Sequence, residues 1–160
     1  MDKPYSRADF ERRLAKGNKT EAFLAQQLEK AGIVVVKPEY PEGMPTSYYT
    51  KNQVDLIANN YILEVKGHNK VFTCVADYPY ERVFVESKAG FDAKANVPEF
   101  YVSVSNYTGA IIALAVEGTK DQWAVEVITD NKRGYSYPMY VAATELWMNW
   151  ETFLERLRQK

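Results

Sequence analysis

The sequence predicts an α/β fold in which a mixed central β-sheet is flanked by helices. Helical periodicity occurs near both ends of the 160-residue chain, and short strand-like segments lie between. Residues 110–116 form a nearly continuous apolar run of strand length, which is typical of a strand buried on both faces. Because the length suits one domain and no linker or repeat interrupts it, we expect a single domain over residues 1–160.

Composition and charge narrow the possible classes of protein. Hydrophobic residues make up 46% of the chain and charged residues 26%, which is enough apolar material for the core of a soluble domain. The net charge of −1 argues against a broad, non-specific footprint on nucleic acid. Cys74 is the only cysteine, which excludes an internal disulfide and favours the cytoplasm. No apolar run approaches the length of a membrane span, so no membrane association is expected.

The N-terminal region predicts two helices. A capping-box pattern precedes a short helix over residues 7–16, which Gly17 is expected to end. A second helix begins near Asn18 or Thr20 and ends at Gly32. The apolar positions of the second helix predict the face that packs on the sheet.

Glu21 lies on that apolar face, three residues before Leu24 and seven before Leu28. A carboxylate in such a position needs a partner. It could complete a functional site, or it could be an ordinary edge residue that reaches water or stabilises the positive end of the helix.

Residues 53–67 predict a β-hairpin. Asn59 and Asn60 can form its two-residue turn, because asparagine tolerates a positive φ angle. With that turn, Asp55 faces Glu64 across the two strands.

The two faces of the hairpin differ in character. One is apolar and has to be packed, whereas the other carries Asp55, Glu64 and Lys66. Two facing carboxylates have Cβ atoms roughly 5 Å apart and destabilise the pair unless positive charge lies between them. Lys66 is one candidate for that charge, and a bound Mg²⁺ ion is the other, since carboxylate oxygens suit it.

The remaining elements follow from the same patterns, with glycine and proline marking the loops. The loop over residues 37–49 contains three prolines and is expected to border the hairpin. A β-rich extension begins at about Trp123. The other predicted elements are strands at residues 33–36, 71–75, 82–86, 100–105, 110–116, 122–128 and 135–141, a helix at 88–95, and a terminal helix capped by Thr144.

The hairpin residues also carry a family resemblance. Asp55, followed after eight residues by Glu64, Val65 and Lys66, resembles the bipartite motif of the PD-(D/E)xK nuclease superfamily, which has the restriction-endonuclease-like fold. Val54 stands where the nominal motif has proline. The resemblance covers about the first two-thirds of the chain. It implies a restriction-endonuclease-like core and an endonuclease that hydrolyses DNA with Mg²⁺, for which Mn²⁺ would substitute.

The resemblance also implies roles for individual residues. Asp55 and Glu64 would bind the metal, and the backbone carbonyl of Val65 often joins them in this superfamily. Glu21 would complete the acidic set, as helical acids of the superfamily often do. Lys66 could orient or deprotonate the attacking water, or stabilise charge on the phosphate, and the sequence does not choose between these roles.

Two rival functions remain open. The chain could be a catalytically inactive subunit that keeps the same fold and serves nucleic-acid binding or assembly. It could also be a structural α/β domain in which Glu64 and Lys66 form an ordinary ion pair, an arrangement that contributes little to stability.

Three basic residues outside the hairpin are candidate nucleic-acid contacts. Lys88 belongs to a second Glu-x-Lys pattern, which has no aspartate at hairpin distance, so we treat it as auxiliary. Lys132 and Arg133 lie at a predicted turn and could contact a DNA backbone, or could simply be a charged hairpin tip. His68 could be a general base, with a loop histidine of no particular role as the alternative.

The terminal helix suggests assembly. Trp147 lies beside the main apolar stripe and widens it beyond what one contact needs. Cutting both strands of a duplex also takes two active sites or one that repositions. We therefore expect a homodimer or a dimer of dimers, unless the face covers the β-rich extension of the same subunit. The stripe consists of Leu146, Trp150, Phe153, Leu154 and Leu157.

Overall fold

Four helices and nine strands make up the part of the chain that the computed structural model describes. That part is residues 7–159, with side chains described from residue 16 onward. In chain order the elements are α1 (Arg7–Lys30), β1 (Val35–Val36), α2 (Thr46–Asn52), β2 (Leu56–Ala58), β3 (Tyr61–His68), β4 (Arg82–Ser87), α3 (Lys88–Asp92), β5 (Phe100–Ser105), β6 (Ile111–Ala115), β7 (Ala124–Asp130), β8 (Tyr135–Ala143), β9 (Met148–Asn149) and α4 (Trp150–Leu157).

The strands form two sheets. The larger sheet has six strands in the order β1-β2-β3-β5-β6-β9, and it is mixed because β3 and β5 are parallel whereas the other pairs are antiparallel. The smaller sheet has the order β4-β8-β7 and is antiparallel. The predicted α/β class with a mixed sheet and flanking helices is confirmed. The β-rich extension, however, recruits β4 from the middle of the chain.

Two hydrophobic cores lie on opposite faces of the larger sheet. The first core includes residues of α1 and α4, and the second includes residues of both sheets. Alternate residues of β6 serve the two cores: Ala113 belongs to the first, while Ile112 and Leu114 belong to the second. Burial on both faces explains the unbroken apolar run of this strand. None of the described helices is both long enough and apolar enough to cross a bilayer.

The predicted break at Gly17 is wrong, because α1 runs continuously through it. A glycine inside a helix costs about 1 kcal/mol relative to alanine. Burial of Leu24 and Leu28 in the first core exceeds that cost, since each fully buried leucine contributes roughly 2 kcal/mol. The predicted capping box starts at Ser6, which lies outside the described residues.

The predicted loop before the hairpin contains a helix, α2. Pro45 takes its N-cap position in an extended conformation, with φ −58° and ψ 152°, and the chain becomes helical at Thr46. The hydroxyl of Tyr49 donates a hydrogen bond to the carbonyl of Pro41 at 2.6 Å, which ties the helix to the loop before it. The strand predicted over residues 71–75 is also absent, and Val75–Asp77 forms a single 3₁₀ turn instead.

The chain before α4 does not continue as helix, which corrects the predicted terminal helix. Thr144–Leu146 forms a 3₁₀ turn, β9 then pairs with β6, and α4 begins only after Asn149. Trp147 is 5% exposed and packs in the second core, whereas Phe153 packs in the first. The wide helical face therefore does not form, and the expected dimer loses that support.

Candidate active site

The hairpin folds in the predicted register. Asn59 and Asn60 have φ angles of 47° and 70°, and Leu56 pairs with Leu63. The apolar face is buried in the first core, apart from the partly buried Tyr61. Glu64 pairs with Tyr101, a residue of the second core, so the polar face is directed between the two sheets.

Asp55 immediately precedes β2, and its carboxylate is tied to the partner strand. The backbone N–H of Val65 donates a hydrogen bond to Asp55 Oδ2 at 2.8 Å. Burial raises the pKa of Asp55, and the negative charges of Glu64 and Glu21 raise it further. Lys66 and the Val65 hydrogen bond act in the opposite direction, but the pKa remains well above its usual value. Negative charge is therefore concentrated around this carboxyl group.

Glu64 lies on β3 and is 8% exposed. Its Oε1 atom is 3.1 Å from the ammonium of Lys66, and its Oε2 atom is 3.4 Å from the ammonium of Lys94. Lys94 follows α3 and has a side chain that is only 6% exposed. Each oxygen of Glu64 thus has its own lysine; the pair with Lys94 is shielded from water, whereas the Lys66 side chain is 35% exposed.

Glu86 enters the same cluster from the smaller sheet. Its Oε1 atom is 3.6 Å from Lys66 and 3.4 Å from Lys94, and the hydroxyl of Tyr101 donates a short hydrogen bond to Oε2. The register of β4 on β8 shifts between Phe84 and Glu86, as at a β-bulge. A β-bulge changes the direction in which the neighbouring side chains point. We call Glu64, Lys66, Glu86 and Lys94 the charge quartet. It alternates in sign, is formally neutral and joins the two sheets.

Burial and neighbouring carboxylates shift the pKa values of Lys66 and Tyr101. Burial alone would lower the pKa of Lys66, but the carboxylates of Glu64, Glu86 and Asp55 outweigh burial and raise it. Burial, followed by the charges of Glu86 and Glu64, raises the pKa of the Tyr101 hydroxyl. At neutral pH the lysine is therefore an ammonium and the tyrosine a neutral donor.

Glu21 approaches this region from α1. Its side chain is buried, and Oε2 is 3.1 Å from the ammonium of Lys37. Because α1 runs from Arg7 to Lys30, Glu21 lies in mid-helix and does not stabilise the helix N-terminus, and its carboxylate pairs with Lys37. Its charge does act on Asp55, so the structure brings the two acids close together.

Gly67 allows α1 to lie against β3. A Cβ atom built on Gly67 would lie 3.0 Å from Thr20 Oγ1 and 2.9 Å from Asn106 Oδ1, closer than such atoms normally approach. Thr20 directly precedes Glu21. The missing side chain of this glycine therefore places Glu21 close to the hairpin.

The predicted basic contacts occupy different places. The Lys88 ammonium pairs with Asp92 Oδ2 at 2.5 Å and lies 5.4 Å from the centre of the Tyr140 ring. Lys132 is exposed at the tip between β7 and β8. Of these three residues, only Arg133 lines the groove between the two sheets and α2.

Glu86, Lys94 and Tyr101 were not predicted as site residues. The sequence contains a Glu-x-Lys pattern that begins at Glu86, but its lysine, Lys88, pairs with Asp92 and is not a member of the quartet. Lys94 has no motif around it and lies 30 positions after Glu64 in the sequence, so only tertiary folding brings the two together. Tyr101 is recognisable as a member of a buried strand and in no other way.

A groove of about 880 Å³ opens beside the quartet, between the two sheets and α2. His68 lines it and is the last residue of β3, so it is not a loop histidine. Its Nε2 atom is 3.3 Å from Ser103 Oγ. Burial, followed by the positive charges of Lys66 and Lys70, lowers the pKa of His68 to about 4. The imidazole is therefore neutral at neutral pH.

Carboxylate oxygens are suitable ligands for a hard cation such as Mg²⁺, but the site has few of them. Among residues 16–159, no three His, Cys, Asp or Glu side chains are arranged to hold a metal ion. Asp55, which is partly buried and precedes β2, lies next to the buried Glu64 of β3, and Val65 stands between Glu64 and Lys66. Mg²⁺ commonly takes only one or two protein carboxylates and fills its other positions with water and phosphate oxygens. The donor set therefore fits Mg²⁺ with substrate present.

Fold and site together define an α/β protein whose mixed sheet carries a buried cluster of acids and lysines beside an open groove. No protein-family model and no curated protein matches the chain. Among solved structures, the chain is similar to that of D212, a nuclease from a fusselovirus, with 13% identity and a TM-score of 0.41. The likeness covers 98% of this chain and 96% of that chain. So distant a likeness says nothing about the activity of this chain.

Proposed function

We propose that this protein is a Mg²⁺-dependent endonuclease of the PD-(D/E)xK type that hydrolyses DNA phosphodiester bonds. One observation carries the proposal. Two carboxylates, the buried Glu64 and the partly buried Asp55, lie beside each other in one hairpin, and the Lys66 ammonium is 3.1 Å from Glu64. Such a group of oxygen donors beside a fixed positive charge is what phosphodiester hydrolysis requires.

Asp55, Glu64 and the backbone carbonyl of Val65 would hold the ion, and Mn²⁺ would substitute for Mg²⁺. When bound, the ion supplies an activated water and neutralises charge on the phosphate. The N–H of Val65 fixes the Asp55 carboxylate in place before any ligand arrives, because it donates to Oδ2. Preorganisation of this kind lowers the cost of binding a cation.

Lys66 would stabilise negative charge on the phosphate and orient the attacking water. Three neighbouring carboxylates favour its charged form, and a charged ammonium can donate hydrogen bonds but cannot accept a proton. We therefore prefer these roles to that of a general base. Glu21 would complete the acidic set through its charge on Asp55.

Of the three basic candidates for DNA contact, Arg133 is the best placed, because it lines the groove beside Lys66. Lys132 is one residue away at the exposed hairpin tip and would contact the backbone further out. Lys88 is held by Asp92 and would contribute only at the margin.

A second candidate function, an inactive binding or assembly subunit with the same fold, is favoured by the neutrality of the quartet. Both oxygens of Glu64 already have lysine partners, so this acid needs no metal to balance its charge. Calorimetric titration with Mg²⁺ and Mn²⁺ separates the two functions, because the inactive subunit should not bind the ions.

We also propose a homodimer or a dimer of dimers in the cytoplasm. Two-strand cleavage by a small enzyme supports the oligomer, and closed dimers are the commonest assemblies. The single cysteine supports the reducing compartment. Light scattering over a range of protein concentrations tests the oligomer, and a strictly monomeric mass would exclude it.

The decisive experiment is cleavage of labelled duplex, single-stranded, nicked and branched DNA by the purified protein, with Mg²⁺ or with EDTA. We expect cleavage only with Mg²⁺, and its loss in Asp55→Ala and Glu64→Ala. Glu126→Ala is the matched control, because Glu126 pairs with Arg82 in the smaller sheet and is not a member of the quartet. Undiminished cleavage by either site variant would show that the assignment is wrong.

A further inference from the structure

One wall of the groove beside the quartet is aromatic. Tyr135, Tyr137 and Met139 alternate along β8 and therefore point to the same side of the smaller sheet. Phe84 pairs with Val141, two residues beyond Met139, and shares that side. Four side chains with this orientation that line the groove are apolar or aromatic, namely Phe84, Tyr135, Tyr137 and Met139, and Ser87, which pairs with Met139, is polar.

The charged residues of the groove are mostly positive. Among residues 16–159, Lys66, Lys70 and Arg133 line it, and Glu86 is the single acidic lining residue. Glu86 is itself bound to two lysines and a tyrosine. The lining side chains thus carry more positive than negative charge, and two of the positive ones, Lys66 and Arg133, are also paired with carboxylates. Three hydroxyl-bearing residues of α2 line the opposite wall: Thr46, Ser47 and Thr50.

The aromatic wall is held in a defined shape. The rings of Tyr135 and Tyr137 have centroids 5.7 Å apart, and the Arg133 guanidinium carbon lies 5.0 Å from the Tyr135 centroid. Asp130 accepts hydrogen bonds from the side chain of Arg133 at 2.7 Å and from its backbone N–H at 3.1 Å. Both tyrosines are partly exposed. The turn therefore presents two rings and a guanidinium together, without needing a ligand to order them.

Aromatic rings beside positive charges suit a nucleic acid strand whose bases are not paired. In a duplex, each base is covered above and below by its neighbours, so side chains on a groove wall cannot stack on it. In an unpaired strand the flat faces of the bases can stack on tyrosine, while lysine and arginine contact the phosphates. The low net charge also fits a short contact better than a long duplex footprint.

We infer that this groove binds an unpaired segment of DNA, with bases stacked on Tyr135 and Tyr137, next to the phosphate that would be cleaved. The inference rests on the proposed nuclease function and extends it by naming the substrate: single strands, flaps or branches with unpaired segments, in preference to continuous duplex. Lys66 links the two regions, because it lines the groove and also contacts Glu64.

The test measures binding without cleavage. Fluorescence anisotropy in EDTA compares a labelled single strand with the duplex of the same sequence, and 2-aminopurine in the strand reports stacking by its quenching. The variants are Tyr135→Ala and Tyr137→Ala, with Tyr135→Phe and Tyr137→Phe retaining the rings. Tyr107→Ala is the matched control, because Tyr107 is 67% exposed and does not line the groove.

We expect the single strand to bind more tightly than the duplex. Each alanine variant should weaken single-strand binding by about tenfold and reduce the quenching, since one stacked base contributes about that much. The phenylalanine variants and Tyr107→Ala should stay within about twofold of the parent. Circular dichroism of each variant establishes that it is folded.

The inference and the proposed function fail in different ways. Equal binding of duplex and single strand, or alanine variants that bind and quench like the parent, would overturn the inference even if Mg²⁺-dependent cleavage is present. Absence of cleavage on every substrate, together with intact tyrosine-dependent binding of single strands, would refute the nuclease proposal and leave the binding site for unpaired DNA in place.

Discussion

The ion pairs of the charge quartet form a network, whereas the β7–β8 tip has a single local ion pair. In the quartet, each charged side chain contacts two of the others; Glu64, Glu86 and Lys94 are at most 11% exposed, whereas Lys66 is 35% exposed at the groove. At the tip, Arg133 makes one pair with Asp130, three residues away within a single turn. A charge removed from the quartet leaves two partners unbalanced in a mostly buried network, whereas a charge removed from the tip leaves a single partner. Substitutions in the two regions should therefore differ widely in effect.

The largest contrast concerns catalysis. Replacing Lys66 by alanine should slow Mg²⁺-dependent cleavage by at least about 100-fold, because a fixed positive charge beside the phosphate stabilises the transition state. Binding of Mg²⁺ and DNA should change little. Lys132→Ala, at the exposed tip, should leave the cleavage rate at saturating DNA unchanged. Single-turnover kinetics and calorimetry measure these quantities, and parental turnover in the Lys66 variant would move the catalytic lysine elsewhere.

The next contrast concerns stability. Lys94→Ala leaves Glu64 and Glu86 with Lys66 alone, in a site where the Lys94 side chain is only 6% exposed. Breaking such a buried pair should cost about 3 kcal/mol in the free energy of unfolding. Lys88→Ala removes a half-exposed lysine from its pair with Asp92 and should have no measurable effect. Urea denaturation in EDTA compares them, and equal losses in the two variants would contradict the buried network.

Two glycines give a smaller contrast of opposite sign. Gly67→Ala brings a methyl group against Thr20 and Asn106, and it should destabilise the fold by about 1 kcal/mol. Gly17→Ala meets nothing within 4 Å inside α1, and it should stabilise the fold by roughly 0.5–1 kcal/mol. Thermal melts of both variants decide the matter. A stabilised Gly67 variant would show that α1 does not need this close approach.

The smallest effect concerns pH. The pKa of His68 is about 4 in the folded protein and about 6.5 when unfolded, so the unfolded chain binds more protons between these values. Stability should therefore fall as the pH drops from about 7 towards 4. His68→Asn should remove the part of that fall that is due to His68, about 0.8 kcal/mol between pH 7.5 and 6. Urea unfolding of both proteins in EDTA measures it, and identical pH profiles would exclude a role for His68.

The hairpin could be predicted in detail because its determinants are local. Two asparagines with positive φ angles set the turn, and alternation along the strands then determines which residues face Glu64. The register followed without any knowledge of the rest of the chain. The position of Glu21 near Asp55 was also anticipated, because helical spacing places it on the packed face.

The other half of the quartet could not be predicted, because tertiary packing creates it. Glu86 reaches Lys66 because β4 belongs to the smaller sheet, where it pairs with β8, and because its register shifts near Glu86. Lys94 lies beyond the short helix α3, whose direction no sequence period specifies. Likewise, Trp147 occupies the second core instead of a helical face, since β9 interrupts the expected helix.

The quartet spans two sheets, and this has a mechanical consequence. Glu64 and Lys66 belong to the larger sheet and Glu86 to the smaller one, so any motion that parts the sheets also takes the site apart. By linkage, a ligand that binds only the assembled quartet makes that parting less frequent. The amide hydrogens of β4, far along the chain from the hairpin, should then exchange with solvent more slowly when the site is occupied.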